Sequence, residues 1–96
     1  MQYNFEWEPV KAQANVRKHG VSFEEASSVF KDPMALTVFD EDHSSDEERW
    51  ITLGSANSKC YVVVVHTYRD EMGAAITIRM ISARLATKHE IKQYEG

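Results

Sequence analysis

The chain has 96 residues, 43% of them hydrophobic and ten aromatic. That is enough for one domain, residues 1–96, with a modest core, and too much for an intrinsically disordered segment. Its longest uninterrupted apolar run, Cys60–Val65, falls far short of the roughly 20 residues a membrane helix needs. The opening MQYNFEWEPVK has neither a basic start nor an apolar signal segment, and the lone Cys60 has no intrachain disulfide partner. Both point to a reducing cytoplasm and no export. The net charge of −4 is unevenly divided. Residues 1–48 carry four Lys/Arg against eleven Asp/Glu (−7), and residues 49–96 carry seven against four (+3). This balance excludes a general nucleic-acid coat, leaves room for a local basic site in the second half, and gives the acidic half the sign to meet a basic partner.

Residues 2–7 read as a short strand. Pro9 suits the first turn of a helix, with Glu8 near the positive end of its dipole, and His19-Gly20 ends it because glycine takes the left-handed C-terminal conformation without strain. Ser22 and Glu25 have capping-box spacing, with Val21 and Ala26 as a hydrophobic staple, so a second helix follows. It carries Phe23, Ala26, Val29 and Phe30 on one face and stops before Pro33. Four strands are predicted at 35–39, 49–54, 60–68 and 76–83, with a turn over Arg69 to Ala75 that contains Gly73. YVVVV and ITIRMI are apolar at nearly every position, which places this hairpin centrally in the sheet. Thr87 and Glu90 form another capping box and open a C-terminal helix with Ile91 and Tyr94 inward. The order is that of an α+β domain: an antiparallel sheet with two N-terminal helices and one C-terminal helix.

The acidic run from Asp40 to Glu48 fails as a calcium loop, since Ser45 stands at the sixth position and Ile51 at the twelfth, so a solvated inter-strand loop is expected. His19, His43, His66 and His89 are 23 or 24 residues apart, and none has zinc-ligand spacing with another. No metal site is predicted and no cofactor is implied, for the phosphate-binding loop, the dinucleotide fingerprint and the nucleophile elbow are all missing from the sequence. Arg79 interrupts an apolar central strand and therefore needs a carboxylate, an open cleft or a phosphate. If Tyr68 pairs with Ile76, Arg79 shares a face with Val65, Thr67 and Arg69; an odd shift would move it to the face of His66. His66 is either a satisfied core histidine or a proton-transfer group. Arg84, three residues before the Thr87 cap, either forms an anion site with the helix-start N–H groups or braces the strand–helix turn.

FEWEPVKAQANVRKHGVSFEEA resembles the opening of the BrnT family, toxins of bacterial type II toxin–antitoxin pairs. ERWITLG, VVVVHTYRD and RMISARLATKHEIKQYE match the same family in the right order, so the resemblance covers nearly the whole chain. The family usually has aspartate before the early proline where this chain has Glu8, and either carboxylate serves a helix start. The resemblance implies a RelE-like fold, with helices on one side of the sheet and the other side open to RNA. It implies an endoribonuclease that inhibits translation and is neutralised by a BrnA-type antitoxin, a ribbon-helix-helix protein through which the complex would bind promoter DNA. RNA cleavage without metal uses the 2′-hydroxyl as nucleophile and needs cations for the charge on phosphorus together with proton transfer. Arg79 and Arg69 are the candidates for the first task, His66 for the second, and Arg84 for holding the RNA backbone. The competing reading is a non-catalytic module that acts by sequestering a basic protein or as a co-repressor with a DNA-binding partner.

Overall fold

Tyr3 and Phe5 alternate with Asn4 and Glu6, and this stretch is strand β1 (Gln2–Glu6) in the computed structural model, which describes residues 2–57, 60–71 and 75–96. Helix α1 (Pro9–His19) begins on Pro9, where the missing N–H is no loss. It ends on Gly20 (φ +72°), whose N–H closes on the Val16 carbonyl at 2.8 Å in a conformation that a Cβ would strain. Helix α2 (Phe23–Ser27) opens on Ser22, whose hydroxyl oxygen accepts the Glu25 N–H at 3.0 Å. The Glu25 carboxylate takes the Ser22 hydroxyl at 3.2 Å, so the cap is a side-chain pair where the reciprocal box was expected. The helix tightens into a 3-10 turn over Ser28–Lys31, two residues short of Pro33.

Strands β2 (Leu36–Phe39), β3 (Trp50–Ala56), β4 (Cys60–Glu71) and β5 (Ala75–Leu85) and helix α3 (Lys88–Glu95) complete the chain. The central hairpin is longer than its apolar run because backbone pairing continues through Arg69, Asp70 and Glu71 regardless of side-chain polarity. Gly73, expected in its turn, lies outside the described residues. The sheet order is β1-β5-β4-β3-β2. Four strands pair antiparallel as predicted, and β1 joins the edge of β5 in parallel, with Tyr3 opposite Ile76, Phe5 opposite Ile78 and Glu6 opposite Arg79. Two helices intervene between β1 and its neighbours in sequence, so a tight turn does not constrain it to run antiparallel.

Alternation then sorts the side chains. Val62 and Val64 of β4 and Ile78, Met80 and Ala83 of β5 face Phe23, Ala26 and Val29, and all are at most 2% exposed. Each large apolar member contributes about 1.5–3 kcal/mol by leaving water. The 3-10 turn presses so closely on β3 that a Cβ on Gly54 would stand 3.1 Å from the Val29 Cβ and 3.2 Å from the Ala35 Cβ. Between the two ends of the hairpin the register slips by one residue: Val65 is opposite Ser82 and His66 opposite Met80, which leaves Ile81 as the extra residue of a β-bulge.

Beyond Arg79, β1 no longer covers the edge of β5. Asn15, buried on α1, takes its place. Its Nδ2 donates to the carbonyls of Ala83 (2.8 Å) and Val21 (2.9 Å), and its Oδ1 accepts the Ala83 N–H (3.1 Å). The side-chain amide thus completes the backbone of an uncovered strand much as a neighbouring strand would.

Helix α3 has the full capping box expected at Thr87 and Glu90. Its Tyr94 ring packs on Tyr61 at 5.1 Å and donates its hydroxyl to Asp32 at 2.6 Å. Asp32 also accepts the N–H of Ser55 (2.8 Å) and of Met34 (2.9 Å). One carboxylate therefore fastens α3, the start of β2 and the end of β3 together. No helix among the described residues is long and apolar enough to cross a membrane.

Candidate active site

The sheet face turned away from α1 and α2 holds a cleft of about 470 Å³ at the end nearest the central hairpin turn. Its floor comes from neighbouring strands. Thr67 pairs with Arg79 and Arg69 with Thr77, so the two arginines project from the same face as diagonal neighbours, roughly 7–8 Å apart at their Cα atoms. The observed register sets Tyr68 opposite Ile78 and not Ile76, a shift of two residues that preserves the expected face. Arg69 reaches across β5 to the Glu6 carboxylate at 3.2 Å, and Glu6 stands directly opposite Arg79 on β1.

Two further cations complete the walls. Lys11 comes from the first turn of α1, beside Glu8, and Arg49 comes from the residue before β3, beside Glu47 and Glu48. The acidic loop expected to be merely solvated also positions Arg49. The Asp40 N–H donates to the Arg49 carbonyl at 2.9 Å, the Arg49 N–H donates to the Ser44 hydroxyl at 2.9 Å, and that hydroxyl donates to the Asp40 carbonyl. His43 is paired with Asp40 at 3.0 Å. The buried Nε of Arg49 has no hydrogen-bond partner among the described residues. Arg49 also borders a second cleft of about 440 Å³ floored by Ile51, Val65 and Ile81 and edged by Asp40, Asp42 and His43. Among the described residues no three His, Cys, Asp or Glu side chains are grouped as metal ligands.

Of the four residues singled out from the sequence, Arg79 and Arg69 meet in this cleft, and the other two do not. His66 lies on the opposite face of β4, 0% exposed, edge-on to the rings of Phe30 (4.8 Å) and Tyr68 (4.9 Å). Its Nε2 shares a 2.7 Å hydrogen bond with the Thr52 hydroxyl, which in turn bonds the Thr37 hydroxyl at 2.9 Å. Burial pushes its pKa down to about 4, a fall that the Thr67 backbone only partly offsets. The placement of His66 beside the arginines is therefore corrected: strand alternation separates them, and the imidazole is a neutral core group. Arg84 projects from the open face opposite Val63, but both its Nη atoms are held by the Glu90 carboxylate at 2.8 Å. Glu90 also accepts the Thr87 N–H at 2.9 Å. The Arg84 guanidinium holds Glu90 down to about 2, ahead of the cap hydrogen bonds. Arg84 thus braces the strand–helix turn.

The burial of His66 has a measurable consequence. Its folded pKa lies below the ordinary 6.5, so its neutral form supports the fold fully above that value. As pH falls from 6.5 towards 4 the unfolded chain takes up the proton first, and stability declines by an amount on the order of 3 kcal/mol. Urea unfolding at pH 7.5 and 4.5 should show this decline in the native chain and a clearly smaller one in His66→Gln, whose amide can still reach Thr52. Equal declines in both would remove His66 as the cause.

Glu6, Lys11 and Arg49 escaped the sequence reading. Glu6 carried a usable signal: with Tyr3 and Phe5 turned to the core, alternation sends Asn4 and Glu6 to the other face. Lys11 and Arg49 sit in a helix and at a loop end, where spacing says nothing about which cleft a side chain enters.

The fold of this small α+β sheet is shared by a solved bacterial toxin. The crystal structure of the Brucella abortus ribonuclease toxin BrnT superposes with a TM-score of 0.64, covering 92% of this chain and 100% of that one at 21% identity. The family model described as the ribonuclease toxin BrnT of type II toxin–antitoxin systems matches residues 7–90. The chain belongs to this family of ribonuclease toxins. No curated protein sequence matches it. Membership in a type II system implies an antitoxin partner.

Proposed function

We propose that this chain is an endoribonuclease that cleaves RNA without a metal ion and so inhibits translation in the cytoplasm. The observation that carries the reading is the pair of arginines, Arg69 and Arg79, on one open sheet face within a cleft that Arg49 and Lys11 also line. In metal-independent cleavage the 2′-oxygen attacks the adjacent phosphorus and the 5′-oxygen leaves. The charge that accumulates on the phosphoryl oxygens needs fixed cations aimed at it, and guanidinium groups on a rigid sheet supply them without reorganisation. Products would be a 2′,3′-cyclic phosphate and a 5′-hydroxyl.

Purified protein incubated with total RNA in excess EDTA tests this, with the product ends mapped. Cleavage leaving 2′,3′-cyclic phosphates is expected, on naked RNA or on messenger in translating ribosomes. Intact RNA in both settings would favour the non-catalytic reading, for which the acidic rim of the second cleft offers a surface suited to a basic protein. Cleavage that EDTA abolishes would overturn metal independence alone.

The partner in this reading is a BrnA-type antitoxin with a ribbon-helix-helix domain, through which the complex would bind promoter DNA. Asp40 and Asp42 edge the apolar floor of the second cleft, which suits a basic amphipathic segment. Association measured between 50 and 500 mM salt should weaken steadily; salt-independent binding would place the contact elsewhere.

A further inference from the structure

We infer that Glu6 is the general base of the cleavage reaction, the group that takes the proton from the attacking 2′-hydroxyl. The inference rests on the ribonuclease reading above and goes beyond it by assigning the proton. Cleavage needs an acceptor within hydrogen-bond reach of the 2′-oxygen, and the imidazole that would ordinarily serve is on the other side of the sheet, wedged between Phe30 and Tyr68. What the cleft offers instead is carboxylates: Glu6, Glu8, Glu47 and Glu48. Three of these lie outside the sheet, Glu8 ahead of α1 and Glu47 and Glu48 in the loop before β3, and all three are exposed. Glu6 alone is carried on the sheet.

Its position follows from the strand. β1 is held parallel to β5 along its whole length, so the last residue of the ladder, Glu6, is fixed opposite Arg79. Arg69 holds the carboxylate at 3.2 Å from the far side of β5, and the Glu6 side chain remains 37% exposed. One carboxylate therefore stands beside both cations assigned to the phosphate, fixed in direction and open to substrate. An RNA phosphate seated between the arginines brings its neighbouring ribose against Glu6. The carboxylate accepts the 2′-hydroxyl proton as the 2′-oxygen bonds to phosphorus and the phosphorus–O5′ bond breaks. The departing 5′-oxygen takes a proton from water, and the protonated Glu6 returns its own to solvent.

The test uses the full chain and a single-stranded RNA oligonucleotide that the native protein cuts, or translating ribosomes if naked RNA is left intact. Glu6→Gln keeps the shape and removes the proton acceptor, while Glu6→Ala opens space for a small acid. Both should lose 10²-fold or more in rate with RNA affinity changed less than threefold. Added formate or acetate should restore part of the activity of Glu6→Ala and none of that of Glu6→Gln, a signature that a merely structural role would not produce. Rates within threefold of native in either variant would overturn the inference. So would a loss without rescue matched by an equal loss of RNA binding, which would make Glu6 a positioning residue for Arg69. Native protein that leaves RNA intact in both settings would instead refute the ribonuclease reading itself, an outcome distinguishable because it precedes any variant.

Discussion

Arg79→Ala is expected to lower the rate of RNA cleavage at least a hundredfold while its thermal unfolding stays within a few degrees of native, and Arg69→Ala to do the same. The two measurements together matter, because an arginine in a central strand could serve the fold or the substrate. Arg79 is exposed on the open face, opposite Thr67 and Glu6 in the strand ladders, away from the apolar cluster that holds the helices to the sheet. Truncating it removes no core contact, and surface changes of this kind usually alter stability by under about 0.5 kcal/mol. A fixed cation facing charge that grows in the transition state is worth far more, about 3 kcal/mol, which corresponds to the hundredfold loss. Lysine at position 79 should recover only part of the rate, since it keeps the charge and loses the planar fork. A folded Arg79→Ala protein with native activity would move the site elsewhere on the molecule.

The second large effect concerns stability. Asn15→Ala should destabilise the fold by about 4 kcal/mol, lowering the melting temperature by roughly 15–30 °C for a domain of this size. Three backbone groups lose their partner at once: the Ala83 N–H and carbonyl and the Val21 carbonyl. Ala83 is fully buried, and each polar group stranded away from water costs about 1–3 kcal/mol, partly relieved where water enters. Asn15→Asp should be nearly as harmful, because a carboxylate accepts the Ala83 N–H but faces two carbonyls without a donor. Thermal melts followed by circular dichroism would check both, and a shift under 5 °C for the alanine variant would show that α1 does not depend on this amide.

Much of the fold was legible because its signals are local. The Thr87–Glu90 cap, the stop at Gly20, and the apolar central hairpin each depend on residues within one turn or one strand. What could not be read was non-local. The parallel edge position of β1 depends on β5, some 70 residues away in the chain, and neither strand encodes the other's direction. Asn15 looked like one more polar residue of a surface helix, for nothing in its neighbourhood marks it as the partner of Ala83. The site divides in the same way. Arg79 was recognisable as a charge inside an apolar strand, whereas Arg49 gains its role only from the Asp40–Ser44 turn that folds it towards the cleft. Arg84 offered two readings from the sequence, and the Glu90 carboxylate decides for the brace.

The extra residue Ile81 sets how the end of β5 can change. Arg79 and Arg84 are an odd number of positions apart, so in an unbroken strand they would point to opposite sides of the sheet. The slip at Ile81 reverses the alternation between them, sending Ala83 beneath the helices and letting Arg84 join Arg79 on the outer side. The length of this last part of β5 is therefore tied to the bulge: five positions with it, or four in a regular strand, keep both arginines on the outer side. Flattening the bulge with all its residues kept would drive a guanidinium towards the core and bring Ala83 out, undoing both the Asn15 amide and the Glu90 brace. Deleting Ile81 would instead leave a regular strand with both arginines still outward. Among relatives of this chain, a residue count between the cleft arginine and the start of α3 that shortens by one only where the bulge is lost is the trace such a constraint would leave.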